Sequence, residues 1–211
     1  MKLKLKSDFY DWYDHAFDLD GMTFQRISKS ITTRKQDLES LKNLGFRVPR
    51  FGKVIDFYHE ILTHKQHPEI TPVIQVVVHT DPKAHRGEGK VLLSTTEAFL
   101  RHPHDFCVEY IPSNRKSQRL LCVGKRTFWI EYESKDDWRS NMGDVNFKVL
   151  DQIPERPRFF LPMFAIDFVG KEKLYAIDLN IAPGLEPLKG IMTASEIVDE
   201  LKNWLEKKDD I

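Results

Sequence analysis

Cysteine is scarce in this chain: Cys107 and Cys122 are the only two among 211 residues, and both sit within apolar stretches. No disulfide framework is available to organise the fold, and two buried free thiols in a reducing cytoplasm is the simplest reading. Net charge is missing too, because 32 basic and 32 acidic residues cancel. That balance argues against a broad electrostatic grip on nucleic acid or membrane and leaves room only for a local patch. No apolar run approaches the roughly 20 residues that a membrane span needs, and the opening M-K-L-K-L-K-S lacks the apolar core of a signal peptide. Internal repeats and low-complexity segments are absent. The eight histidines show no metal spacing, and no Ser-His-Asp or Cys-His arrangement stands out. What remains is ordinary for a soluble globular protein, 41% hydrophobic and 30% charged, long enough for one domain or two small lobes with a proper core.

The first thirty residues are aromatic and acidic. Phe9, Trp12, Tyr13 and Phe17 are spaced for one face of a short helix, with Asp8, Asp11 and Asp14 outside. This arm either packs on the core or offers a partner-binding surface. Thr32 or Thr33 is placed to cap a helix whose apolar positions are Leu38, Leu41 and Leu44, stopped by Gly45. F-G-K-V-I-D-F (51–57) suggests a return strand, followed by a polar connection holding His59, His64 and His67. V-I-Q-V-V-V (73–78) reads as a buried strand. A basic loop at 80–90 leads to a strand at 91–93, a short helix at 95–101 and a strand at 106–111. R-L-L-C-V (119–123) and R-T-F-W-I-E-Y (126–132) pair as a hairpin turning at Gly124-Lys125. A charged stretch follows, then strands at 163–169 and 174–180 with Gly170 and Lys171 in the turn. T-A-S-E opens a closing helix with Ile197, Val198, Leu201, Trp204 and Leu205 on its core face. Strand pairs joined by short turns dominate the second half, which favours an α+β fold over a doubly wound sheet.

The acidic hairpin carries the strongest chemical signal. Asp178 and Asn180 are two apart and project from one face of their strand. Pairing around Gly170–Lys173 puts Asp167 almost opposite Asp178 or Asn180. Two carboxylates buried together are costly unless a cation or donors compensate. Hard oxygens of this kind suit Mg²⁺, although either acid can instead cap a turn or pair with an arginine. The Pro183-Gly184 turn departs beside them.

These residues resemble the C-terminal signature of the ATP-grasp superfamily, in A-I-D-F-V…L-Y-A-I-D-L-N-I-A-P-G-L-E, and most nearly the branch containing the ribosomal-protein glutamate ligases. The resemblance implies two small lobes with Mg·ATP held between them, and Mg²⁺ on Asp167, Asp178 and Asn180. The second acid of the family is more usually Glu, so Asp178 is one methylene shorter. Upstream, R-L-L-C-V-G-K and D-W-R-S-N resemble the family's paired strands and arginine loop, which implies that Arg119, Arg139 and Asn141 face phosphate or the incoming carboxylate. C-V-E-Y-I resembles the hinge between lobes, with backbone groups of Glu109 and Ile111 on adenine. R-G-E-G-K resembles the glycine loop over the triphosphate, which implies Arg86, Gly87, Gly89 and Lys90 there, although an ordinary hairpin turn explains the same spacing. Two family lysines fall at His79 and Arg34; Lys83 or Lys90 is placed to compensate.

The resemblance covers roughly 30–205 and lacks the extra N-terminal domain usual in the family ligases. It implies an arm at 1–30, a lobe at 31–108 carrying the glycine loop, and a metal-binding lobe at 109–211. The activity implied is a Mg²⁺- and ATP-dependent carboxylate–amine ligase working through an acylphosphate, in the cytoplasm, with a protein or peptide among the possible substrates. The alternative is an ATP-binding module or nucleotide sensor that acts with a partner protein. A third class, a structural protein assembling through its aromatic N-terminus, predicts no response to nucleotide.

Overall fold

Two antiparallel sheets organise the chain, and alternation along their strands decides what each face does. The computed structural model describes residues 33–64, 66–81, 89–159, 161–180 and 183–206, together with the backbone of two short strands, β1 (Phe17–Leu19) and β2 (Met22–Phe24). These two pair antiparallel, so Phe17 lies in a strand and not at the end of a helix. The reason is local: Asp20-Gly21 separates two alternating triplets, a hairpin signal that outweighs the helical spacing of the aromatics. Phe9, Trp12 and Tyr13 lie outside the described residues, as does the side chain of Leu205.

Thr33 caps α1 (Arg34–Asn43). Its hydroxyl accepts from Gln36 N, and the Gln36 side chain accepts from Thr33 N at 2.7 Å, which closes a capping box. Leu38 and Leu41 on its inner face are fully buried. The expected strand at 51–57 is a strand only in β3 (Phe51–Lys53); from Val54 onward the chain is α2 (Val54–Thr63). Val54 and Phe57 lie one turn apart and bury together, and the Asp56 carboxylate accepts from Lys53 N (3.2 Å) at the helix N-terminus, where an acid is favoured. His59 therefore belongs to a helix and His64 ends it.

Next come β4 (Gln75–His79), β5 (Lys90–Ser94), α3 (Thr95–Arg101) and β6 (Phe106–Glu109), which complete a four-stranded sheet ordered β3-β6-β4-β5. One face lies under α2 and α3 in a core of Val54, Phe57, Val76, Val78, Ala98 and Cys107. The alternate residues Val77 and His79 face the other way, toward a cleft.

The second sheet has five strands. They are β7 (Lys116–Val123), β8 (Arg126–Ser134), β9 (Val145–Val149), β10 (Met163–Val169) and β11 (Tyr175–Asn180), in the order β11-β10-β7-β8-β9. β9 falls inside the stretch expected to be merely charged. The even-numbered row Leu120, Cys122, Phe164, Ile166 and Phe168 packs on Leu38 and Leu41 of α1. The odd-numbered row Leu121, Val123, Met163 and Ala165 packs on a short 3-10 turn (Glu186–Leu188) and on α4 (Ala194–Glu206), through Ile197, Val198 and Leu201. Thr193 and Glu196 make the expected capping box of α4. Arg156 fastens that helix: its guanidinium lies 3.9 Å from the Trp204 ring and donates to Gly124 O at 2.8 Å. Gly124, in the β7–β8 turn at φ 57°, is the only residue type that fits, since a Cβ would stand 2.6 Å from Glu200 O of α4.

β10 and β11 pair with one irregularity. Asp167 is opposite Asp178, but Phe168 is opposite Ala176, so Ile177 is an extra residue, a β-bulge. Both cysteines are free and buried, and burial pushes each thiol up to about 12. Among the described residues no helix is long and apolar enough to cross a membrane.

Phe164 is fully buried between β10 and α1, and its ring meets Phe159 edge-on at 5.0 Å. Phe164→Ala is expected to cost about 3–5 kcal/mol, read from the urea midpoint at unchanged slope.

Candidate functional site

Where the cover of α4 ends, the odd-numbered row of the five-stranded sheet turns polar. Arg119 follows from Leu121, and Asp167 from Ala165, one step along each strand face. Opposite this row stand Val77, His79 and the Glu109–Ile111 segment, from the four-stranded sheet and the chain leaving it. Together they enclose a cleft of about 940 Å³, counted to its open mouth.

Arg119 and Asp167 are directly cross-strand, and their pairing is bidentate: Nε donates to Oδ1 at 2.6 Å and Nη2 to Oδ2 at 2.9 Å. Their side chains are only 16% and 15% exposed, so the pair sits in a setting where an uncompensated charge would be costly. Burial acts to lower the Arg119 pKa, but Asp167 outweighs it and the net shift is upward, so the guanidinium stays charged. The Tyr132 ring lies 5.1 Å from that guanidinium, and burial pushes the Tyr132 phenol up, with the Arg119 charge opposing. Asp178 is held by Arg34, which α1 delivers from its first turn. Burial likewise opposes the Arg34 charge, and Asp178 with Asp37 overcomes it. Two acids and two arginines thus form a locally neutral quartet.

A wired loop closes one end. The Ser134 hydroxyl donates to Met142 O (2.6 Å) and accepts from Asp137 N (3.0 Å), while Asp136 Oδ1 accepts from Asp144 N at 3.0 Å. Arg139 folds back on Asp137 through Nε (2.8 Å) and Nη2 (2.7 Å), and Ser140 bonds Ser117 of β7 at 2.5 Å between hydroxyl oxygens. The loop sets Trp138, Arg139, Ser140 and Asn141 on the cleft wall. Gly143 stands at φ 72°, and a Cβ there would run into the Asp136 carboxylate.

Of the residues singled out from sequence, His79, Lys90, Glu109, Ile111, Arg119, Arg139, Asn141, Asp167 and Asp178 line this one cleft. His79 and Lys90 are cross-strand partners, so the lysine stands beside the histidine. Arg34 is not part of the wall but reaches Asp178. Asn180, opposite Ala165, and Gly89, whose carbonyl accepts from Thr80 N at 2.9 Å, are not part of it either. Arg86 and Gly87 lie outside the described residues. The Glu109 N–H is engaged by Arg50 O at 2.8 Å, which leaves its carbonyl as the backbone group to consider for a base. Sequence reasoning missed Tyr110, Ser117, Tyr132, Trp138 and Ser140. Tyr132 was findable from the strand register, being cross-strand from Ser117 and two residues from Ile130.

In kind, the donor set fits a hard divalent cation: two carboxylates opposed in register on the cleft wall. In arrangement, each carboxylate is already engaged by a guanidinium. Among the described residues no group of three or more His, Cys, Asp or Glu is placed to hold a metal ion.

No protein-family model and no curated protein sequence matches the chain. Solved structures do match. An ATP-grasp ligase, PsnB, complexed with a minimal precursor superposes with a TM-score of 0.55 at 11% identity, covering 84% of this chain and 61% of that one. A RiPP-associated ATP-grasp ligase from Chryseobacterium gregarium, in complex with ADP and a leader and core peptide, gives a TM-score of 0.53 at 15% identity, covering 87% and 62%. At such identities the likeness is one of fold: this chain has an α+β, ATP-grasp-like fold. It spans about three fifths of the length of the structures it matches.

Gly143→Ala is expected to lower stability by about 1–3 kcal/mol and to change Trp138 fluorescence, because the loop must rearrange. The Arg139 side chain, with help from its N–H, holds Asp137 at about 2, below the ordinary carboxylate value of 3.8. The stabilisation is therefore complete above roughly pH 4 and lost as pH falls through about 2. The stability gap between wild type and Asp137→Asn should narrow over that window in acid denaturation.

Proposed function

We propose that the chain binds Mg²⁺·ATP in this cleft and uses it to activate a carboxylate for attack by an amine. The observation that carries the reading is the gathering of Asp167, Asp178, Arg119, His79 and Lys90 on one cleft between the two sheets of an ATP-grasp-like fold. In this reading Asp167 and Asp178 hold the metal, with Asn180 next along the strand, and the metal's contribution is to neutralise and align phosphate oxygens. Lys90 and His79, with Gly89, Arg86 and Gly87 of the same loop, face the phosphates. The Glu109 carbonyl and the Ile111 backbone meet the base, and Val77 and Val108 offer it apolar surface. The lobes at 31–108 and 109–211 then hold the nucleotide between them.

The chemistry asks for positioning and charge cancellation more than for a side-chain nucleophile. A substrate carboxylate oxygen attacks the γ-phosphorus and ADP departs, leaving an acylphosphate. An amine then attacks the acyl carbon, and phosphate leaves with the bonding pair. Arg119 supplies positive charge where negative charge builds, while Arg139 and Asn141 shape the acceptor end. Precursor, leader or core peptides are present in the solved structures of similar fold, which directs the substrate search to peptide carboxylates.

Two observations favour a second reading, a nucleotide-binding module that acts with a partner. Both carboxylates already have guanidinium partners, and a histidine stands where the family has a lysine. Calorimetric titration with Mg²⁺·ATP, followed by an ADP-release assay over amino acids and acidic peptides, separates the two. Turnover supports the ligase, binding without turnover on any substrate supports the module, and absence of binding removes both. Asp178→Asn keeps the shape and an oxygen acceptor for Arg34, so the fold should persist while Mg²⁺-dependent ATP affinity drops roughly 10- to 100-fold or more. An unchanged affinity would show that the metal assignment is wrong.

A further inference from the structure

The Arg119–Asp167 pair constrains how ligands enter. Both oxygens of Asp167 are engaged by the Nε and Nη2 edge of Arg119, at 2.6 and 2.9 Å, and neither side chain is more than 16% exposed. A cation arriving alone at Asp167 would stand against the buried guanidinium. An anion arriving alone at that edge of Arg119 would stand against the buried carboxylate. Each ligand by itself meets like charge where water screens little. A cation and an anion arriving together need only one bond pattern broken, and each leaves its protein partner compensated. The second pair, Arg34 with Asp178, keeps the rest of the site neutral during the exchange.

We propose that Arg119 serves Asp167 as an internal counter-cation, exchanged for a divalent ion only when a polyphosphate takes the arginine's fork. The cleft then admits metal and nucleotide as a coupled pair and neither one singly. This rests on reading the cleft as a Mg²⁺·ATP site. Arg119 is here a positioning residue for the metal, and its coupling is reciprocal by linkage.

The test measures Mn²⁺ binding by electron paramagnetic resonance with no nucleotide present. Arg119→Gln removes the competing charge, so it should bind Mn²⁺ about tenfold or more tightly than wild type, within the usual range of site–site coupling. Arg119→Lys keeps a charge but loses the fork, and should fall between the two. Equal or weaker Mn²⁺ affinity in folded Arg119→Gln overturns the exchange. If that variant does not fold, wild-type protein decides through the Arg119 Nε–H signal, identified by its contact with the Tyr132 ring. The signal should stay in place with Mg²⁺ alone and with AMPPNP in chelator, and move when both are added. Full movement with Mg²⁺ alone overturns the proposal. The nucleotide-free Mn²⁺ measurement judges the exchange by itself, whereas failure of Mg²⁺·AMPPNP to bind wild type defeats the ATP reading.

Discussion

The bond between Arg119 and Asp167 ties the register of two central strands to the chemistry of the cleft. A buried charge must be paired, and removing one partner of such a pair typically costs about 3–5 kcal/mol. These two residues are paired because β7 and β10 align Leu121 with Ala165 and Val123 with Met163 just before them. A slip by one residue would turn the charged side chains into the apolar core on α1 and send Leu120 and Ile166 toward the cleft. The core thus specifies where the charges meet, and the charges penalise every other alignment. Stability and site share one register.

The two sheets divide the remaining work. The four-stranded sheet puts its outer face under α2 and α3 and gives the cleft a wall that ends in His79 and Lys90. The five-stranded sheet buries both faces along its central strands β7 and β10, under α1 on one side and α4 on the other, and turns polar toward the cleft at Arg119 and Asp167. Beyond its edge, the 134–144 loop is held by its own side chains, with Ser134 at its centre. Arg139 illustrates the distinction between scaffold and site. It stands on the cleft wall, yet its guanidinium fork braces the loop through Asp137.

Much of this was legible in the sequence where one signal dominated. The hairpin at 163–180 is apolar except for its acids, so its strands and the placing of Asp167 almost opposite Asp178 or Asn180 followed directly, and the folded register selects Asp178. Thr33 and the T-A-S-E segment announced their helices through capping chemistry. α2 was hidden because Phe51-Gly52-Lys53-Val54-Ile55 is β-branched and aromatic enough to look extended, and only packing of Phe57 beside Val54 chooses the helix. β9 was hidden because Asn146 and Lys148 made its alternation look like part of a polar connection. The arginine partners were beyond local reading. Arg34 lies 144 positions from Asp178, and Arg119 lies 48 from Asp167, so their meeting is a property of the folded topology.

The extra residue in β11 has a consequence of its own. In an unbroken strand Ala176 and Asp178, two positions apart, would look the same way. Ala176 instead packs with Phe168 in the core on α1, while Asp178 stands opposite Asp167 on the cleft wall. Ile177 is the hyphen that lets six residues be read in two phases. Before it, even positions must be small and apolar; after it, they must carry oxygen. Straightening this strand with Ile177 kept in the ladder would therefore act like a frameshift written in side chains, setting Ile177 opposite Asp167 and turning Asp178 with Ile166 toward the core on α1.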